Sequence, residues 1–175
     1  MTDSEAPVPS LDHVFAITYQ ELRAIAHRRL AGSGRGATLS TTALVHEAYL
    51  KLADRSGPGW VDRTHFLAVA SLAMRHVLVD KARELSTLKR GGARNAITLD
   101  NDLTAVEAQA DAVLQLDDAM GRLARYDARL ARVVECRFFG GLSEPETAEA
   151  LGLNLRTIQR DWVKARVLLR DALES

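Results

Sequence analysis

The segment Leu142–Leu173, LSEPETAEALGLNLRTIQRDWVKARVLLRDAL, constrains the fold more than any other part of the chain. It places a capped helix, a glycine turn and a basic second helix at the offsets of a helix-turn-helix. Ser143 predicts the first cap. Pro145 falls in the opening turn, where its missing N–H costs nothing, and Glu146 stands three residues after Ser143, as a reciprocal capping box needs. Ala148 and Leu151 are expected to face inward, Gly152 to take the left-handed position that ends the helix, and Leu153 to anchor the turn. Asn154 is the candidate cap of the second helix. There Ile158, Trp162, Val163 and Ala165 are expected in the core, which leaves Arg156, Thr157, Gln159, Arg160 and Lys164 for a groove. An α-helix fits the major groove of DNA, where Arg and Gln suit guanine and adenine edges. Lys164 and Arg166 suit phosphates.

The rest of the chain reads as helix too. Leu11–Leu30 carries Val14, Phe15, Ile17, Leu22, Ile25, Ala26 and Leu30, mostly at helical spacing, before Gly32, Gly34 and Gly36 stop it. Thr41 or Thr42 is the expected cap of a helix over Ala43–Ala53, with Leu44, Val45, Ala48, Leu50 and Leu52 as its apolar positions. A loop holding Gly57-Pro58-Gly59 follows. A longer helix is expected from about Arg63 to Leu85 behind an Asp62 cap, with Leu67, Ala70, Leu72, Ala73, Val77, Leu78 and Val79 on a broad apolar face. A second basic tract lies near Arg75–Arg94, and Lys89-Arg90-Gly91-Gly92 ends the first module. Further helices are expected over Val113–Arg125, Ala128–Phe138, Glu144–Leu151 and Arg156–Leu173. Strand signals are absent. The expectation is an all-α chain of two small helical domains: a disordered tail over 1–10, one domain over 11–92, an acidic linker over 93–112 with room for a short helix, and the helix-turn-helix domain over 113–175.

Charge supports two basic surfaces rather than a basic whole. The chain has 23 Lys and Arg against 23 Asp and Glu, a formal net charge of zero. From Asn95 to Gly121 there is no Lys or Arg, only Asp100, Asp102, Glu107, Asp111, Asp117 and Asp118. Neutrality argues against tight non-specific DNA binding, which grows with the number of phosphates neutralised. Cys136 is the sole cysteine, in the apolar run VVECRFF, and reads as a buried inert thiol; it excludes an internal disulfide. MTDSEAPVPS lacks the basic start and apolar core of a signal peptide, and no apolar stretch reaches spanning length, so the expected location is cytoplasmic, without membrane contact. His13, His27, His46, His65 and His76 form no metal-ligand spacing, and no nucleophile–base arrangement is visible. No metal, no cofactor and no enzymatic activity are therefore expected. Trp60 and Trp162 read as core anchors, with Trp162 also placed to support the groove helix from behind.

In these strings the chain resembles a bacterial RNA polymerase sigma factor of the sigma-70 family, in the extracytoplasmic-function (ECF-like) subgroup. The resemblance runs from about Leu11 to Leu173. ARVVECRFFGGLSEPETAEALGLNLRTIQRDWVKARVLLR resembles sigma region 4; TTALVHEAYLKLAD resembles the core-polymerase-binding helix of region 2, and HFLAVASLAMRHVLVDKAREL its promoter-melting helix. The resemblance implies a protein that binds core RNA polymerase, at the β′ clamp helices and the β flap, and directs initiation at promoter DNA by reading −10 and −35 elements. It implies that Leu44, Glu47, Ala48, Leu50 and Lys51 face the clamp helices. It sets Arg75, His76, Asp80, Lys81 and Arg83 at the −10 element, and Arg156, Thr157, Gln159, Arg160 and Lys164 at the −35 element. The acidic spacer resembles the linker that runs near the RNA exit path, where its charge would mimic nucleic acid. Restraint by an anti-sigma factor or control by a kinase is left open.

This chain departs from the family pattern at two places. Many members carry an acidic cluster just before the core-binding helix, where this chain has Ser40-Thr41-Thr42-Ala43; the difference implies weaker core binding, and phosphorylation at Thr41 or Thr42 would restore the charge. His76 stands where the family often has Asn, and Val69 where an aromatic residue is common, so the −10 preference is expected to be unusual. Two other readings fit the two-module pattern: a dimeric helix-turn-helix regulator acting on half-sites without polymerase, and a polymerase-binding adaptor. On the charge-replacement idea, Thr42→Glu binds core polymerase more tightly than Thr42→Ala in a fluorescence titration, and equal affinities would remove it.

Overall fold

The computed structural model describes residues 10–30, 39–54, 62–90 and 101–174. Every element among them is helical: α1 (Leu11–Leu30), α2 (Thr41–Ala53), α3 (Arg63–Arg90), α4 (Asn101–Tyr126), α5 (Ala128–Val134) running into a π-helical turn (Glu135–Phe139), α6 (Glu144–Leu151) and α7 (Leu155–Glu174). Residues 1–9 of the expected 1–10 tail, the glycine stop at 32–36, the 57–59 breaker, Trp60, Gly91-Gly92 and the first part of the linker lie outside the described residues.

Local chemistry explains most helix starts. Asp62 accepts from the His65 N–H at 2.7 Å and opens α3. The α2 cap is Ser40, not Thr41 or Thr42: its Oγ accepts from the Ala43 N–H at 3.2 Å, and both threonines lie inside the first turn. α4 begins at Asn101, well ahead of the expected Val113. Leu103, Val106, Ala110 and Val113 repeat at helical spacing in the sequence of the expected linker.

α3 is the centre of the fold. α1, α2, α4, the π-helical turn and α6 all pack on it. Its Phe66, Leu67, Ala70, Ala73, Met74 and Val77 form one core with Val14, Leu22, Ile25 and Ala26 of α1 and Leu44, Val45, Ala48 and Leu52 of α2. That core also takes Cys136 and Leu142 from the C-terminal half. A second core joins Met120, Leu123, Leu130, Ala131, Val134, Phe139 and Ala165. A third, smaller one joins Val133 of α5 to Ala148 and Ile158 of the helix-turn-helix, and Trp162 packs against both of these.

The halves meet closely. Leu142 N–H donates to the Cys136 carbonyl at 3.0 Å, which folds the end of the π-helical turn back toward α3. A Cβ on Gly140 would stand 2.5 Å from the Cys136 carbonyl and 2.6 Å from Ser71 Oγ of α3, so only glycine fits there. Gly141 has φ +63 and lies against the Arg28 guanidinium of α1. Arg63 pairs with Glu21 of α1 and, at 3.3 Å, with Glu146 of α6. Thr64 donates to Glu149 at 3.3 Å.

Two glycine substitutions separate these effects. Gly140→Ala forces its methyl into backbone and is expected to cost about 2 kcal/mol or more. Gly121→Ala, inside α4 with its nearest neighbour the flexible end of Arg125 at 3.7 Å, is expected to raise stability by about 0.5 kcal/mol. Urea denaturation of both variants checks the pair.

Candidate nucleic-acid interface

The helix-turn-helix is built as its residues require. Ser143 Oγ accepts from the Glu146 N–H at 3.4 Å while Glu146 accepts from the Ser143 N–H at 2.8 Å, closing the capping box. The Ser143 N–H and hydroxyl, both donating to the carboxylate, lower the pKa of Glu146, with help from Arg63. Gly152 sits at φ 62, ψ 36 and ends α6. Asn154 Oδ1 accepts from the Thr157 N–H at 2.8 Å and caps α7.

Burial fixes the phase of α7. Ile158, Asp161 and Ala165 are buried, and Trp162, Leu168 and Leu169 are half-buried. Around the opposite arc stand the exposed Arg156, Gln159 and Arg160, with Lys164 and the half-buried Thr157 on its flank. The sequence expectation is corrected at Val163: it is 62 % exposed, in the middle of that arc, with Val167 beside it. At about 100° per residue, Val163 lies some 140° from Ile158, and the pair Ile158–Ala165 marks which side is core. Gln159 donates to Glu144 at 3.0 Å, and Lys164 lies 5.1 Å from the Tyr126 ring centroid.

Asp161 was not singled out by sequence. It is 2 % exposed and holds Arg129 of α5 at 2.6 Å and Arg160 at 3.4 Å. Arg160 remains 69 % exposed, so the short bond to Arg129 is what secures α7 to α5. Above the helix, Arg137 and Arg166 stack near Trp162, 5.0 and 5.9 Å from its centroid.

The part of the second basic tract with described side chains lies on α3, where Arg75, Lys81 and Arg83 are engaged. Arg75 has a side chain only 12 % exposed; it pairs with Glu135 at 2.7 Å and Asp117 at 2.8 Å, with its guanidinium 5.8 Å from the Phe139 centroid. Arg83 meets the other oxygen of Asp117 at 3.1 Å and Asp80 at 3.8 Å. Asp80 pairs with Lys51 of α2 at 2.8 Å, and Lys81 with Glu84 at 3.0 Å. His76 is exposed; partial burial of the ring, then the charges of Arg75 and Lys51, lower its pKa, which favours a neutral imidazole.

On α2 the residues of the expected partner face divide by burial. Leu44 and Ala48 are buried in the first core. Glu47 is exposed, Leu50 is 58 % exposed, and Lys51 is half-buried, leaving these residues together on the open side. Ile17 of α1 is likewise exposed, off the buried stripe of Val14, Thr18, Leu22 and Ile25. Of the two threonines, Thr42 is exposed and Thr41 half-buried. Among the described residues no group of His, Cys, Asp and Glu is arranged to hold a metal, and no helix is long and apolar enough to cross a membrane.

The two arginines on Asp161 should separate in stability. Arg129→Ala leaves the buried carboxylate with only the longer 3.4 Å contact to Arg160 and is expected to cost about 2 kcal/mol. Arg160→Ala removes an exposed partner and is expected to cost less than about 1 kcal/mol. Denaturant midpoints of the two variants measure the contrast.

No curated protein and no solved structure matches the chain. The ECF sigma factor family matches residues 8–175, which takes in every described helix, the capped helix-turn-helix and the α3 tract alike. The chain therefore belongs to the ECF sigma factor family, with a sigma-factor role in transcription initiation.

Proposed function

We propose that this chain binds core RNA polymerase and directs initiation at promoters with a −10 and a −35 element. The observation that carries the proposal is the exposed arc of α7. It sets Arg156, Gln159 and Arg160 on one open side of a helix whose other side is fixed by Ile158, Asp161 and Ala165. Early side chains of such a helix reach base edges in the major groove, and Lys164 on the flank suits a phosphate. Val163, exposed between them, adds an apolar surface of the kind that meets a thymine methyl. In this reading residues 11–92 are the region 2-like part and 113–175 the region 4-like part, with the 93–112 linker largely drawn into α4.

The −10 contacts are assigned to α3, through Arg75, His76, Lys81 and Arg83, with Asp80 fixing Lys51 beside them. A neutral His76 has one donor and one acceptor nitrogen, unlike an amide, which supports an altered −10 preference. Core polymerase contacts are assigned to Glu47, Leu50 and Lys51. Thr42 is the more accessible candidate for phosphorylation, and a phosphate there stands at the electropositive start of α2.

Reconstituted transcription tests the proposal, with core polymerase, this chain and a library of cognate genomic DNA. Initiation at a common two-part motif, dependent on this chain, is the expected result. A homodimer that binds duplex half-sites in the absence of polymerase would replace the proposal with a conventional regulator. Polymerase binding without promoter opening would replace it with an adaptor.

A further inference from the structure

The acidic groups that hold Arg75 and Arg83 come from the other half of the chain. Asp117 lies on α4, in the stretch of sequence that has no basic residue, and Glu135 opens the π-helical turn. Asp117 uses one oxygen on Arg75 at 2.8 Å and the other on Arg83 at 3.1 Å. Glu135 takes the remaining terminal nitrogen of Arg75 at 2.7 Å. A guanidinium presents the same fork of donors to a carboxylate as to a phosphate, and it cannot serve both at once. The two α3 arginines are thus occupied by internal anions in the geometry that nucleic-acid phosphates would need.

We infer that Asp117 and Glu135 form an internal latch that buries Arg75 and engages the outer, 62 % exposed Arg83, so that the free chain frees these two arginines of its −10-facing tract only when the two halves part. The inference rests on the reading of α3 as a DNA-facing helix. The rest of the interface is built to close in the same register: Arg63 with Glu146, Thr64 with Glu149, Arg28 against Gly141, and Gly140 seated on Ser71. Partial burial makes the latch reversible rather than permanent. Taking Glu135 and Arg75 out of water costs much of what their attraction returns. The carboxyl of Glu135 shows that balance: burial raises its pKa, and Arg75 only partly offsets the rise.

The chain carries its own reporter of opening. Cys136 is its only cysteine, buried in the core shared by α1, α2 and α3, and burial pushes its thiol up to about 11. A thiol so placed reacts with an aromatic disulfide reagent only when the halves separate. The variant to test is Asp117→Asn with Glu135→Gln in the full chain. Its charge-matched control is Asp111→Asn with Asp118→Asn, at two exposed positions of α4. The latch predicts modification of Cys136 at least about tenfold faster in the first variant than in the control, at unchanged helical circular dichroism. Arg75→Gln, which cuts the latch from the other side, gives the same acceleration should the double variant lose helix. Equal rates in latch variants and control overturn the inference.

A second arm asks whether a DNA-facing surface is what the latch covers. Anisotropy of a fluorescein-labelled single-stranded oligo-dT is expected to show at least about tenfold tighter binding by the Asp117→Asn, Glu135→Gln chain than by the control, a gain that disappears when Arg75→Gln is added. Faster thiol modification without any gain in oligonucleotide binding overturns the covering of a DNA-facing tract. The thiol rate needs neither DNA nor polymerase, so failure of the latch is distinct from failure of the sigma reading, which shows as missing polymerase-dependent initiation.

Discussion

Arg75 can satisfy one set of anions at a time, and in this structure the set is internal. Its guanidinium lies between Glu135 and Asp117, against the Phe139 ring, with most of its side chain out of water. The rest of the arrangement is consistent with that point. Gly140 has no side chain because Ser71 and the Cys136 carbonyl leave no room, and α4 runs along α3 with Asp117 placed to reach two arginines. The π-helical turn suits the same purpose. An i→i+5 bond from the Gly140 N–H to the Glu135 carbonyl, 2.8 Å long, marks a wider turn than an α-helix, and Glu135, Cys136 and Phe139 of this turn all contribute to contacts with α3 or the cores beside it.

This pairing gives the zero net charge a physical meaning. A DNA-binding chain is expected to be basic. Here Arg63, Arg75 and Arg83 on α3 meet Glu21, Glu146, Glu135 and Asp117, while Arg129 on α5 meets Asp161. Among the described residues of α7, Arg156 and Arg160 face outward, with Arg160 also bonded to Asp161. Weak electrostatic attraction to arbitrary DNA follows from such matching.

What the sequence made legible was what short-range chemistry decides. The helix-turn-helix caps at Ser143, Gly152 and Asn154 and the α3 cap at Asp62 rest on side chains bonding to backbone within three residues, or on one residue's freedom to take a positive φ, and each was visible as a pattern. The features decided by distant packing were not. Leu44 and Ala48 look like any amphipathic position until α1 and α3 cover them. Val163 sits next to Trp162 and reads as core until the phase set by Ile158, Asp161 and Ala165 turns it outward. Ser40 displaced Thr41 and Thr42 as cap because all three are able to cap and only the backbone turn chooses among them. α4 extends back to Asn101 because the alanines and spaced apolar residues of the expected linker favour helix despite its acidity.

The central claim is that α3 serves both the closed interface and the DNA-facing surface, and so cannot do both at once. The direct measurement is a distance, by pulsed electron paramagnetic resonance, between spin labels at Ala24 of α1 and Ala124 of α4, two exposed positions in the two halves. It is taken on the free chain and again with core polymerase and a promoter. The account predicts one short, narrow distance in the free chain and a longer one in the initiation complex. The same short distance in both states, in a complex that initiates transcription, would contradict it.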